Sequence, residues 1–315
     1  LYLQDFLFDL QRLDMEFEKL PFRGVKGTTG TQASFMELFE GDVDKIKALD
    51  KKIANAFGFK KSVSVSGQTY TRKADYYVLS VLSGISQSAY KAAGDIRLMA
   101  NLKEVEEPFG KKQIGSSAMA YKRNPMKCER ICSLSRYVMS LPGNAAATHS
   151  TQWFERTLDD SANRRIVLPE AFLATDIIIS TLSEVIDGLQ VWPKVIESNL
   201  RRELPFMATE NILMAAVKAG GDRQELHEAI RRHSMSAARE IKEFGRENDL
   251  IKRIKGDRLF AKVAKKIDGI LDPLNFTGRA SSQVEDFLSE EISPILKENE
   301  KEIKVAEKSA SDSKV

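Results

Sequence analysis

Four segments of this chain interrupt a helical texture and carry polar groups that a core would exclude. The first is Arg23-Gly-Val-Lys-Gly-Thr-Thr-Gly-Thr-Gln-Ala-Ser34. Its glycines could cradle a phosphate with backbone N–H groups, but it lacks the Walker order of glycine, lysine and serine or threonine. A plain turn reads equally well. The second is Ser66-Gly-Gln-Thr-Tyr70, in which Gln68 offers both a donor and an acceptor; a turn between two elements explains it equally well. The third runs from Gln113 to Pro125 and leads into a helix bearing Glu129 and Arg130. Gly115, Ser116 and Ser117 supply N–H donors, Lys122 and Arg123 supply charge, and a helix opening at Pro125 adds a positive dipole end. Together these groups could stabilise an anion, whether a serine alkoxide or an enolate-like carboxylate. A basic solvent-exposed loop is the competing reading. The fourth is Gln152-Trp-Phe-Glu-Arg-Thr-Leu-Asp-Asp-Ser-Ala-Asn-Arg-Arg165. Asp160 or Ser161 can cap the helix that follows, and Arg156 and Arg165 are forked donors suited to carboxylate or phosphate. Surface salt bridges on a capped helix would also account for it.

The elements that must position these segments read as helices. Leu3, Phe6, Leu7, Leu10 and Leu13 form one apolar stripe. Asp42 caps a helix carrying Ile46, Leu49, Ile53 and Phe57, which Gly58 ends. Ala74 to Leu102 is one long helical pattern with small residues, Ala89, Ala92 and Ala93 among them, that allow close helix approach. A further helix is expected from Pro125 to about Leu141, stopped by Pro142-Gly143, and another from about Ser161 to Asp187, with Pro169 in its first turns or at a kink. The best strand signal is the short alternation Ser62–Ser66. Long helices joined by short loops predict an all-α fold, a long antiparallel bundle over 1–191. From 192 to 315 the segments are shorter and more charged, predicting a smaller helical domain. The polar stretch Lys304 to Val315 is expected to fray.

Bulk composition narrows the function classes. Apolar residues make up 42% and charged residues 30%, ordinary for a globular protein. A net charge of +3 is too mild to argue for nucleic acid. No run of about 18 apolar residues stands out, so no membrane span is expected, and no signal peptide opens the chain. Cys128 and Cys132 are too few for a disulfide framework or a zinc site, and reduced cysteines fit a cytoplasmic location. The chain starts at Leu1, already in helical pattern, which predicts a natural start upstream.

Gly115-Ser-Ser-Ala-Met-Ala-Tyr-Lys-Arg-Asn-Pro125 resembles the long signature G-S-S-x-M-P-x-K-x-N-P of the fumarase/aspartase superfamily. Lys26–Ser34, Gly67–Lys73, Gln152–Arg165 and Glu203-Leu-Pro-Phe-Met-Ala-Thr-Glu-Asn211 resemble one branch, the adenylosuccinate lyase family, in its animal form. The resemblance covers essentially the whole chain except the tail. It implies a homotetramer with active sites shared between subunits. It also implies β-elimination of fumarate from succinylated purine nucleotides, without metal or organic cofactor. Carried over by position, Ser116 is the general base and Ser117 its neighbour. Lys122 and Asn124 hold the substrate carboxylate, and Glu129 orients a histidine acid. Gln68, Arg130, Arg156, Ser161 and Arg165 match substrate-binding positions. Two departures stand out. Ala120 replaces the signature proline, and the family's acid histidine precedes the point where this chain starts. His149, His227 and His233 do not match that acid and read as structural or surface residues. The competing expectations are another lyase of the superfamily, such as argininosuccinate lyase or fumarase, and a non-catalytic module that keeps the fold.

Overall fold

The computed structural model describes residues 1–109 and 121–312. Regular structure among them is almost entirely helical, as expected. The chain divides into two compact units, Leu1–Val191 and Trp192–Val315.

In the first unit α1 (Tyr2–Lys19), α2 (Ala33–Leu38) and α3 (Val43–Ala56) precede three long helices, α4 (Lys73–Asn101), α5 (Met126–Ser150) and α6 (Asp159–Asp187). Asp42 caps α3 by accepting from the N–H groups of Asp44 and Lys45 at 3.1 and 3.0 Å. Helix α4 packs against α1, α5 and α6. It buries Leu79, Leu82, Ala89, Ala92, Ala93 and Ile96 on that side. The alanines leave room for the facing stripe of α5, in which Cys128, Ile131, Cys132, Val138, Leu141 and Ala145 recur at helical spacing. The two cysteines are buried free thiols. Burial and the nearby Glu107 carboxylate push the Cys128 thiol far up, so it stays protonated and inert.

Helix α5 does not stop at Pro142-Gly143 but runs through to Ser150. A proline inside a helix costs about 3 kcal/mol. Leu141 and Ala145 are buried on either side of it, and a buried leucine alone stabilises by about 1.5–3 kcal/mol, so packing outweighs the local break. Helix α6 likewise continues through Pro169. Ser62–Ser66 forms no strand; Phe22 and Ser62 make one isolated parallel bridge. The strands are instead β1 (Val105–Glu106) and β2 (Gln190–Val191), paired antiparallel. Beside them Gly188 meets Pro108 so closely that a Cβ would stand 2.5 Å from the ring. This pairing ties the chain just before the signature segment to the end of α6.

Helix α6 buries one stripe, Val167, Ala171, Ile178, Leu182 and Val185. Phe172, Leu173, Ile177, Ile179 and Ile186 on the same helix are exposed. By length and composition alone α6 is apolar enough to cross a membrane, which the sequence did not lead us to expect. Its buried stripe packs on α4 and α5.

The second unit contains α7 (Pro193–Met207), α8 (Thr209–Lys218), α9 (Arg223–Phe244), α10 (Leu250–Gly256), α11 (Ile267–Ile270), α12 (Ala280–Phe287), α13 (Ser293–Glu298) and α14 (Glu300–Asp312). Its core gathers Ile212, Leu213, Leu226, Ile230, Leu250, Ile254, Phe260 and Ile267. Asp222 caps α9 and Gly245, in the left-handed region, ends it. A π turn, Leu288–Ile292, leads into Pro294, a proline that cannot donate to the preceding turn. The end of the chain is helical to Asp312 rather than frayed from Lys304; an i,i+4 pair between Glu300 and Lys304 at 2.5 Å supports its first turn.

Candidate active site

Two groups of predicted site residues take shape in the first unit. One lies where the segment after α3 meets the start of α6. Arg156 donates through Nη1 to Gln68 Oε1 at 3.3 Å, joining residues 88 apart in the chain. Its Nη2 reaches Asp160 Oδ1 at 3.5 Å. Asp160 is wholly buried and accepts from Arg72 Nε at 2.5 Å; Arg72 itself is 5% exposed. Asp160 therefore does not cap α6 as its position suggested. It lies in the first turn, below the surface, as a counter-ion to two arginines. The loop before α6 is closed instead by Gln152. Its Oε1 accepts from Thr157 N and its Nε2 donates to Asp159 Oδ1, each at 3.2 Å.

A second carboxylate stands beside this pair. Asp75 accepts from Arg164 Nε at 2.5 Å and from the Tyr70 hydroxyl at 2.7 Å. Arg164 also meets that hydroxyl through Nη2. The Tyr70 ring has the Arg72 and Arg164 guanidiniums at 4.8 and 5.3 Å from its centre. Burial, then the Asp75 carboxylate, raises the Tyr70 pKa, so the phenol keeps its proton and remains a donor. Burial opposes the charge on Arg164, but the bond to Asp75 and the neighbouring charges more than restore it, and its pKa stands above the ordinary value. Arg72 and Arg156 share Asp160, and Arg164 pairs with Asp75. Ser161 and Arg165 lie on the same helix, with no contact to Gln68 or Arg156 among the hydrogen bonds and ion pairs of the described residues. They stand one turn apart on α6, Ser161 half-buried and Arg165 exposed.

The other group surrounds the start of α5. Asn124, Pro125 and Glu129 line a cavity of ≈ 440 Å³ with Arg97, Asn101 and Arg123. Lys122 and Arg130 are exposed nearby in sequence, and Arg123 is bonded to Glu106 at 2.8 Å. The N-terminus of α5 was expected to offer its dipole end to an anion. The chain occupies it with its own carboxylate: Glu107 accepts from the N–H groups of Lys127 and Cys128 at 3.0 and 2.6 Å. Gln68, Arg156, Ser161 and Arg165 are not part of this cavity's lining. Ser116 and Ser117 lie outside the described residues.

The glycine segment after α1 is turned inward. Asp50 on α3 accepts from Val25 N at 2.5 Å and Lys26 Nζ at 3.2 Å, and Gln32 Nε2 donates to Val25 O at 2.8 Å. Burial alone would raise the Asp50 pKa, but the bonds from Val25 and Lys26 outweigh it and hold the carboxyl below its usual range. Lys26 is thereby committed to Asp50 rather than to a phosphate. Sequence reasoning missed Tyr70, Arg72, Asp75 and Arg164 as supports of the site. The signal was present only as charged residues flanking two of the polar segments.

A family model for lyases matches residues 28–140, and one described as the adenylosuccinate lyase C-terminus matches residues 205–287. The adenylosuccinate lyase of Saccharomyces cerevisiae is 55% identical over 296 residues, which are 94% of this chain and 61% of that protein. The chain thus carries a lyase-family segment followed by an adenylosuccinate lyase C-terminal segment. The adenylosuccinate lyase of Schistosoma mansoni is 48% identical, across 94% of this chain and 62% of its own length. The yeast protein is thus the more similar of these two, although the motifs pointed to animal enzymes. A crystal structure of a fumarate lyase from Mesorhizobium sp. BNC1 superposes with a TM-score of 0.73 at 23% identity, covering 92% of this chain and 62% of that one. That likeness shows the fold. The chain spans about 61% of the length of the curated family members it matches.

Proposed function

We propose that this chain forms the larger part of a C–N lyase that releases fumarate from adenylosuccinate, giving AMP, and from succinylaminoimidazole carboxamide ribotide. The observation that carries the reading is the meeting of Gln68 and Arg156 over buried Asp160, at the head of the helix that bears Ser161 and Arg165. A dicarboxylate joined to a phosphate needs several forked cations held in fixed positions, and this cluster fits that need.

In this mechanism Ser116 removes a proton from the succinyl carbon next to a carboxylate. The carbanion delocalises into that carboxylate, whose charge Lys122 and Asn124 stabilise. A histidine from outside this chain protonates the leaving nitrogen, and the C–N bond breaks to release fumarate. Glu129 orients that histidine. Gln68, Arg130, Arg156, Ser161 and Arg165 bind the nucleotide, and Ser117 adds a donor beside the base. Every atom of the elimination comes from substrate and side chains, so the step calls for no metal or organic cofactor. The protein acts as a homotetramer in the cytoplasm. The exposed Phe172, Leu173, Ile177 and Ile179 of α6 support assembly, since an apolar face of this kind is buried by a partner subunit. The buried thiols support a reducing compartment.

The test is Ser116→Ala in the enzyme completed with the missing part of its relatives' length. Loss of a general base costs on the order of 10²–10⁴-fold in turnover, while affinity for adenylosuccinate, measured by calorimetry, stays within about threefold. Turnover near that of the unmodified enzyme would overturn the assignment.

A further inference from the structure

In the glycine segment after α1, Arg23 does not face Asp50. Arg23, half-buried, directs Nη2 at backbone carbonyls: Gln68 O at 2.6 Å, Gly27 O at 3.2 Å and Gly67 O at 3.4 Å. Among the described residues it forms no salt bridge. A guanidinium spent on the main chain of a distant loop fixes geometry, because carbonyls from 27 and from 67–68 converge on one planar nitrogen.

The same loop is confined from two other sides. A Cβ on Gly30, whose φ is +85°, would stand 1.8 Å from the Ser66 carbonyl oxygen. A Cβ on Gly67 would stand 2.9 Å from the Cβ of Glu155. Residues 66–68 are therefore pressed between the segment carrying Arg23 and the segment carrying Arg156. Out of this clamp projects the exposed Gln68 amide, whose Oε1 accepts from Arg156.

We propose that Arg23 is a positioning residue for substrate binding: it locks the backbone of 66–68 so that Gln68 is presented beside Arg156. The proposal rests on the reading above, in which Gln68 and Arg156 contact the nucleotide. It assigns Arg23 no contact with substrate. Arg23 acts by removing the freedom that Gln68 would otherwise lose on binding.

The experiment measures KM and kcat for adenylosuccinate, and the unfolding temperature, in the completed enzyme. Four variants are compared with it: Arg23→Met, Arg23→Lys, Gly30→Ala and Gln68→Ala. Arg23→Met is expected to raise KM about tenfold while kcat stays within about threefold, the pattern of lost uniform binding. Arg23→Lys, which keeps the charge and a donor but not the planar fork, recovers part of the loss. Gly30→Ala displaces the loop from the opposite side and raises KM in the same way. Unfolding temperature is not expected to track KM across the Arg23 pair. An unchanged KM in Arg23→Met with a raised KM in Gln68→Ala would overturn the proposal and leave the functional reading intact. An unchanged KM in Gln68→Ala as well would remove Gln68 from the site, and the role of Arg23 with it. Parallel losses of kcat and unfolding temperature at constant KM would reduce Arg23 to a structural residue.

Discussion

Asp160 shows how far the Gln68–Arg156 contact rests on a buried group. A carboxylate with no exposure, shared by Arg72 and Arg156, is stable only because both charges are matched. Replacing it with asparagine leaves Arg72 buried with no counter-charge from that side. We expect Asp160→Asn to lower folding stability by about 3 kcal/mol or more, read from the midpoint of urea unfolding. A loss under about 1 kcal/mol would mean that Arg72 finds another partner. Nothing in the sequence marked this role. Asp160 precedes a helix and reads as a cap, while its partner Arg72 is 88 residues away. The residue types around Arg156 read as suited to an anion. The pairing of Arg156 with Gln68, and the buried layer of Tyr70, Asp75 and Arg164 beside them, were not, because they depend on which helices pack together.

Elements were legible where local pattern and tertiary packing agree. Helix α3 starts behind its Asp42 cap as its sequence predicts, and the long α4 runs over the stretch whose small residues marked it. Local signals failed where packing overrides them. Pro142-Gly143 reads as a stop, yet α5 passes through it because Val138, Leu141 and Ala145 stay in one buried stripe. Removing that conflict predicts a gain. Pro142→Ala restores a helical N–H and is expected to stabilise the protein by about 1–3 kcal/mol, raising its unfolding midpoint. A lower midpoint would show that the ring itself packs in a way alanine cannot match. The two short strands escaped notice for the opposite reason. A ladder of two residues on each side has no periodicity to detect, yet its position sets Glu107 against the first turn of α5.

At the scale of the whole molecule, the all-α class followed from helical periodicity, while the division of labour between this chain and the rest of its family's length did not. The first unit joins Gln68 to Arg156 near the head of α6, which bears Ser161 and Arg165, and sets Asn124 and Glu129 around a separate cavity. Our account has the two groups serve shared sites in an assembly whose contacts use the exposed apolar face of α6. It assigns the acid histidine to a segment that this chain does not contain. The most direct test is fumarate release from adenylosuccinate by this chain alone and by this chain mixed with the separately produced N-terminal segment of the family, each checked for assembly by sedimentation. The account predicts fumarate from the mixture and none from the chain alone. A folded, tetrameric mixture that releases no fumarate would contradict it.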